Sequence, residues 1–410
     1  MATGADLKIT VTQSATRAGS GGWGAVVALT LCVATLIASE FMPVSILTPI
    51  ATDLRLTEGA AGQAISVSGL FAVLTSLTIT PLTRGLDRRT LLLGLAGLML
   101  GSGAMVAFAP TYAVLMAGRA LLGVVIGGFW SMSAATVMRL LPEDQVPRGL
   151  AMLNGGNALA TTVAAPLGSF LGQYIGWRGA FFIVVPLAAI TFVWLWRKLP
   201  QLPSPRGARA ANALAVLWRR EARVGMGAVA LLFMGQFGLF TYLRPFLEGV
   251  TQLSVSLLSL VLLAMGGAGL IGTWLIGRAL ARSLSATLIV APLVMAAIAI
   301  GLIAFGTMPL PTAALLAGWG LIGTALPVAW WTWLSRALPD HAEAGGGLMV
   351  AVIQLAITLG AAGGGLLFDA AGHRATFLAS AILLSGSALL GVLGSSKAAQ
   401  QQSIKHGEDK

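Results

Sequence analysis

Charge is what this sequence has least of: 25 Lys and Arg and 14 Asp and Glu, 10% of its 410 residues. A soluble domain carries about 25%. With 57% hydrophobic residues and a mean hydropathy of +0.87, the chain cannot cover a folded surface with water-binding groups. Its solvent must be largely lipid. Cysteine is almost missing, and the single Cys32 excludes an internal disulfide. The three histidines, His341, His373 and His406, fall between apolar stretches and form no cluster with Cys or carboxylates, so no metal is expected. No Gly-Lys dipeptide occurs, which excludes a phosphate-binding loop and transport driven by ATP. No nucleophile–base–acid set is apparent. Neither an enzyme activity nor a cofactor is expected. The first 22 residues are polar and hold no signal-peptide core, so the first apolar stretch would serve as the insertion signal.

What the chain does have is about twelve apolar stretches near the 20 residues that a membrane-spanning helix needs. They read as 23–47, 58–81, 91–109, 112–137, 150–171 and 179–196, then 224–242, 255–277, 285–305, 311–334, 347–367 and 376–394. The expected fold is therefore all-α, a polytopic membrane protein with two six-helix bundles, 23–196 and 224–394. Residues 1–22 and 395–410 are tails, and 197–223 is a basic linker. The positive charge excludes little, because Lys and Arg sit in short loops rather than in a nucleic-acid-binding patch. Twenty of them lie in the tails, the linker and the loops on one side. Arg55, Arg178, Arg244 and Arg374 lie on the other. The basic side is expected to be cytoplasmic, with both termini there.

The halves repeat. Gly176-Trp177-Arg178-Gly179-Ala180-Phe181 answers to Gly372-His373-Arg374-Ala375-Thr376-Phe377, and Gly168 and Leu171 answer to Gly364 and Leu367. Upstream, Arg139-Leu140-Leu141-Pro142-Glu143 answers to Arg336-Ala337-Leu338-Pro339-Asp340. Repeats of equal topology are related by an axis along the membrane normal.

A charge at mid-bilayer costs several kcal/mol and marks function by default. Only Glu40 among the acids and Arg119 among the bases lie well inside a span. Counted at about 1.5 Å per residue, both lie at roughly one depth, which brings them within reach of each other directly or through water. Low dielectric favours a neutral carboxyl group and an adjacent guanidinium favours a charged one, so a carboxyl balanced between them can carry a proton. The competing reading is a permanent pair that only holds two helices together. Met42-Pro43 follows Glu40, and a proline within a span frees a carbonyl and permits a bend. Gly118, Gly123, Gly127 and Gly128 form a small-residue face suited to close helix packing. Ala165-Pro166-Leu167-Gly168 places a proline where the halves are expected to meet. Gln63, Trp130, Asn154, Asn157, Gln236, Tyr242, Trp330 and Gln354 are polar or aromatic residues within spans and are candidates to line a cavity. Aromatic faces stack on planar rings, and amides pair with their edges.

The layout resembles the major facilitator superfamily, drug:H+ antiporter type. Asp87-Arg88-Arg89 resembles its gating signature in the loop between spans two and three, with Arg84 where an Asp is usual. Gly118-Arg119-Ala120-Leu121-Leu122-Gly123 is similar to the span-four motif whose Arg takes part in proton coupling. Ala164-Ala165-Pro166-Leu167-Gly168 is similar to the antiporter motif of span five, with Ala-Pro in place of Gly-Pro. Glu40 stands where related exporters keep an acid. Five stretches resemble more closely the bacterial purine ribonucleoside efflux pumps: Phe41 to Ser45, Gly127 to Ala134, Gly168 to Gly172, Phe240 to Pro245 and Val350 to Leu355. That resemblance implies inward protons exchanged for inosine- and guanosine-like nucleosides across a bacterial inner membrane, by a monomer that binds no nucleic acid. Efflux of sugars or drugs is the first alternative, and a membrane sensor that transports nothing is the second.

Overall fold

The computed structural model describes the backbone of residues 4–83, 85–203, 217–338 and 342–408. It describes the side chains of these except 4–21, 80, 81, 147, 342–344 and 394–408. Arg84 and residues 204–216 of the basic linker lie outside the described residues, as do the side chains of both tails.

The described residues form fourteen helices and no strand. The first half holds α1 (Gly4–Ser45), α2 (Leu47–Leu54), α3 (Glu58–Leu82), α4 (Arg88–Ala107), α5 (Tyr112–Leu140), α6 (Val146–Phe182) and α7 (Val184–Lys198). The second holds α8 (Arg220–Phe240), α9 (Leu243–Gly249), α10 (Val255–Arg282), α11 (Leu284–Phe305), α12 (Pro309–Gly323), α13 (Leu326–Ala337) and α14 (Ala342–Glu408). Among the described residues ten segments are long and apolar enough to span a bilayer. Two of these, Arg148–Lys198 and Gly345–Leu393, have 51 and 49 residues. A straight helix of that length would run about 75 Å against a hydrocarbon core of about 30 Å. Both fold back instead, at Gly176 (φ 72°, ψ 168°) and Gly372 (φ 72°, ψ −173°). Thr376 Oγ1 donates to the Gly364 carbonyl at 3.2 Å, a contact between residues that a continuous helix would hold far apart. Each long segment is thus two crossings, in keeping with twelve.

The repeat extends to backbone features that sequence motifs do not record. Arg55 (φ 55°) and Gln252 (φ 59°) are the two non-glycine residues of positive φ among those described, and they lie 197 positions apart. Thr57 and Ser254, also 197 apart, each cap the helix that follows with a side-chain oxygen. The first and seventh spans both break near one end, into α2 and α9. The tenth, expected as one stretch, breaks between α12 and α13. The paired Gly-x-Arg motifs are turns. After Gly176, Trp177 Nε1 and Arg178 both donate to Asp53 Oδ2, at 3.2 and 2.6 Å, and Arg178 lies over the Trp177 ring. The Arg178 hydrogen bond holds the Asp53 carboxyl below the usual carboxylate range. After Gly372, His373 instead packs against Phe246 and Phe377.

The φ/ψ region of Gly176 and Gly372 is essentially restricted to glycine and costs other residues about 1–3 kcal/mol. Gly372→Ala and Gly176→Ala are each expected to lower thermal stability in detergent by that amount. Gly94→Ala, in a helix with open space around it, should be neutral or slightly stabilising. Equal melting temperatures for all three variants would contradict this.

Within each half a buried apolar core joins the helices, around Leu29, Leu36 and Phe129 in the first and Phe246, Trp319 and Phe377 in the second. The halves meet where α3 packs on α14 and α6 on α10. Hydrogen bonds across this seam gather at the end away from the linker. Thr57 donates to Asp369, Arg244 to the Ser45 carbonyl, and Ser259 to Ser169. The seam is closed at that far end.

Candidate functional site

Glu40 and Arg119 are both buried, at 3% and 0% exposure. The structure joins them through the backbone rather than as a carboxylate–guanidinium pair. Arg119 Nη1 donates to the Ser39 carbonyl at 2.7 Å, and Nη2 donates to the Glu40 carbonyl at 3.0 Å and to Ser68 Oγ at 2.9 Å. Its Nε donates to the Ala64 carbonyl at 2.8 Å. Among the described residues the ion pairs are Asp53–Arg178 and Arg244–Glu248. The sequence accounts for this geometry. Pro43 has no N–H, so the carbonyl four residues earlier, that of Ser39, loses its helical donor. Arg119 supplies the replacement and so pins α1 to α3 and α5.

The carboxyl of Glu40 faces the other half. Gln354 Nε2, from α14, donates to Glu40 Oε1 at 3.5 Å. Gln354 is itself buried, and its carbonyl accepts from Thr358 Oγ1. An amide is suited to this place because it can donate to a carboxylate and accept from a carboxylic acid. The buried acid of α1 therefore meets a side chain of the opposing half, and Arg119 meets the acid's own backbone.

One residue along α1 from Glu40, Phe41 lines a cavity of about 70 Å³ between the halves, together with Thr161, Gln236, Phe237, Trp319 and Gly323 among others. Phe41 and Phe237 stack across the seam, ring centroids 5.5 Å apart. Gln236 Nε2 donates to the Gly323 carbonyl at 3.5 Å, while its Oε1 is buried without a hydrogen-bond partner. The site offers aromatic faces and one free amide acceptor. Ligand pockets usually measure about 300–1,000 Å³, so a drug-sized ligand would need the halves to part here.

The other candidates are scattered. Gln63 donates to the Ala362 carbonyl at 3.5 Å and bridges the seam. Asn154 is exposed and bonds back to the Leu150 carbonyl of its own helix, and Asn157 is half-buried. Trp130 packs against the core of the first half. Tyr242 and Trp330 do not reach the cavity. Tyr242 is fully buried in the closed far end, donating to the Ala361 carbonyl at 2.8 Å. Trp330 is buried against Trp333 in the core of the second half. Both were candidates as aromatic residues within spans, and residue type carries no information about helix rotation. Phe41 and Phe237 were missed for the converse reason: they read as ordinary core residues, although Phe41 adjoins Glu40.

Asp87, Arg88 and Arg89 clamp the first half to the start of the linker. Asp87 caps α4 by accepting from Arg89 N and also accepts from Leu202 N, at 2.7 and 3.0 Å. Arg88 Nη1 reaches Met132 Sδ, and Arg89 Nη2 donates to the Trp196 carbonyl. α6 continues through Pro166. A Cβ at Gly168 would lie 2.6 Å from Ser45 Oγ, so this glycine lets α6 approach α1. The neighbouring Ser169 is the residue that meets the second half.

The sequence profile of the Major Facilitator Superfamily matches residues 29–361. The chain is 55% identical over 380 residues to a Pseudomonas aeruginosa protein named transcription regulatory protein OpdE, covering 91% of this chain and 94% of that one. It is 42% identical over 368 residues to the Salmonella typhimurium purine ribonucleoside efflux pump NepI, covering 90% and 91%. Among solved structures, a bacterial homologue of the human lysosomal transporter Spinster, inward-facing and unoccupied, superposes with a TM-score of 0.71 at 14% identity, covering 92% and 97%. A D-xylose–proton symporter superposes with a TM-score of 0.72 at 16% identity, covering 90% and 97%. These two likenesses are of fold.

Proposed function

The chain belongs to the Major Facilitator Superfamily and is a multi-pass membrane transporter, and from that premise we propose that it exports purine ribonucleosides in exchange for protons. The observation that carries this reading is the cavity between the halves at Phe41. Its stacked Phe rings suit a planar base and the free Gln236 oxygen suits an N–H or O–H donor, while Glu40, the residue before Phe41, is the buried acid suited to a proton. The likeness to a nucleoside pump over nine-tenths of the chain supports the same class.

In this reading the two halves rock about the cavity. With the far end closed, nucleoside enters from the linker end, which the Lys and Arg distribution assigns to the cytoplasm of a bacterial inner membrane. Protonated Glu40 and ionised Glu40 hold Gln354 differently, and this couples the proton to the relative position of the halves. Asp87, Arg88 and Arg89 steady the linker side as it moves.

Counterflow of labelled inosine in proteoliposomes tests the substrate class. Inosine should exchange, and an imposed pH gradient should drive its accumulation. Overexpression should raise tolerance to toxic purine nucleoside analogues several-fold and leave tolerance to lipophilic cations unchanged. The reverse pattern would transfer the protein to the drug-efflux class.

A second reading, as a regulator of transcription, is favoured by the name of the 55%-identical relative. A transporter can alter gene expression indirectly, by changing the internal concentration of what it carries. A Glu40→Gln variant, uncoupled from the proton and unable to export against a gradient, separates the readings. Transcript changes that follow transport would vanish with it, and those that need only the protein would persist.

A further inference from the structure

Glu58 opens α3 at the closed far end of the seam. The polar groups around it are committed across the halves. Asp369 of α14 accepts from Thr57 Oγ1 at 2.6 Å and from Gly59 N at 2.9 Å, so a carboxylate of the second half caps a helix of the first. Arg244 of α9 is 4% exposed, donates to the Ser45 carbonyl and to Ser169 Oγ, and pairs with Glu248 at 2.7 Å. Among the described residues Glu58 stands apart. Its Oε2 is buried, and the polar group beside it is the Thr48 hydroxyl, which can donate to a carboxylate or accept from a carboxylic acid there.

We propose that Glu58 is a second proton-binding site, separate from Glu40, whose proton holds the far end of the seam closed. The argument is one of neighbours. An ionised Glu58 would place a partly buried charge, met by one hydroxyl, near the carboxylates of Glu248 and Asp369. Among the described residues the cation facing it, Arg244, is already engaged by Glu248 and the Ser45 carbonyl. The hydroxyls of Tyr112 and Tyr242, also near, donate elsewhere, to the carbonyls of Ala60 and Ala361. A protonated Glu58 removes the like-charge repulsion. Opening the seam admits water, which solvates the carboxylate and releases the proton. Closure therefore binds a proton and opening frees one, so closure strengthens as pH falls, by at most about tenfold per pH unit for one proton.

The inference rests on the halves rocking as described above, but its test needs neither substrate nor transport. In a Cys32→Ser background, spin labels at Thr52 and Gly249, exposed on opposite halves at the far end, report the width of the seam. In nanodiscs the closed fraction should fall as pH rises. Glu58→Gln, which cannot ionise, should keep the seam closed throughout, and Glu40→Gln should leave the response in place. A pH response unchanged by Glu58→Gln would overturn the proposal, as would no response in the parent protein. A response abolished only by Glu40→Gln would overturn it while leaving the role of Glu40 intact. Inosine counterflow measured on the same preparation reports the substrate reading independently.

Discussion

A Glu40→Gln variant is expected to stop accumulating substrate against its gradient while still exchanging it at equal concentrations. The substitution keeps the size of the side chain and its contact with Gln354, but removes the exchangeable proton. Cavity lining and helix packing are untouched, so binding and rocking survive. What is lost is the coupling. With one proton entering per neutral nucleoside, a gradient of one pH unit supplies about 1.4 kcal/mol. A potential of 100 mV supplies about 2.3 kcal/mol. Together they sustain a concentration ratio on the order of 500-fold, which should collapse to about one in the variant. Accumulation and counterflow of labelled inosine, measured side by side, check both halves of the statement. Retained accumulation would remove Glu40 from proton coupling. Loss of counterflow as well would assign it to substrate binding or folding.

How much of this was readable in the chain depends on the kind of quantity. Depth was readable, because residues counted along a helix convert to distance, and Glu40 and Arg119 do meet. The repeat was readable at the Gly-x-Arg motifs, and the structure extends it to Arg55 and Gln252, whose backbone angles no residue type announces. Rotation about the helix axis was not readable. Tyr242 and Trp330 read as cavity candidates by residue type, whereas Tyr242, capping α9, and Trp330, in α13, are turned into buried packing. Which atoms of a residue engage was equally hidden. Two opposite charges at one depth suggest an ion pair, yet a guanidinium satisfies five N–H groups, and helix carbonyls freed by a proline compete for them. Glu58 was passed over because it opens a span and so reads as a loop acid. Only the closed seam reveals that one of its oxygens is buried.

Arg119→Met is expected to destabilise the protein by at least about 3 kcal/mol, since it removes four hydrogen bonds to buried acceptors worth about 1–3 kcal/mol each when left unmade. Arg119→Lys should recover little, because one ammonium cannot reach acceptors on α1 and α3 together. Two further variants decide whether the loss comes from the backbone clamp or from charge pairing. If pairing with the Glu40 carboxylate dominates, most of the loss should disappear in a Glu40→Gln background, where no charge is left uncompensated. The clamp requires most of it to remain. The clamp also requires coupling to Pro43. Pro43→Ala restores an N–H four residues after Ser39, so the orphaned carbonyl regains a helical partner and Arg119→Met should cost less in that background, by about 1 kcal/mol for the one bond replaced. Thermal unfolding of the single and double variants in one detergent supplies both cycles. Independence from Pro43 combined with relief by Glu40→Gln would make Arg119 the counter-charge of the proton site. The opposite pattern makes it the pin that fixes the turn of α1 on which Glu40 is carried, leaving Gln354 on the opposing half as the group that responds when Glu40 gains or loses its proton.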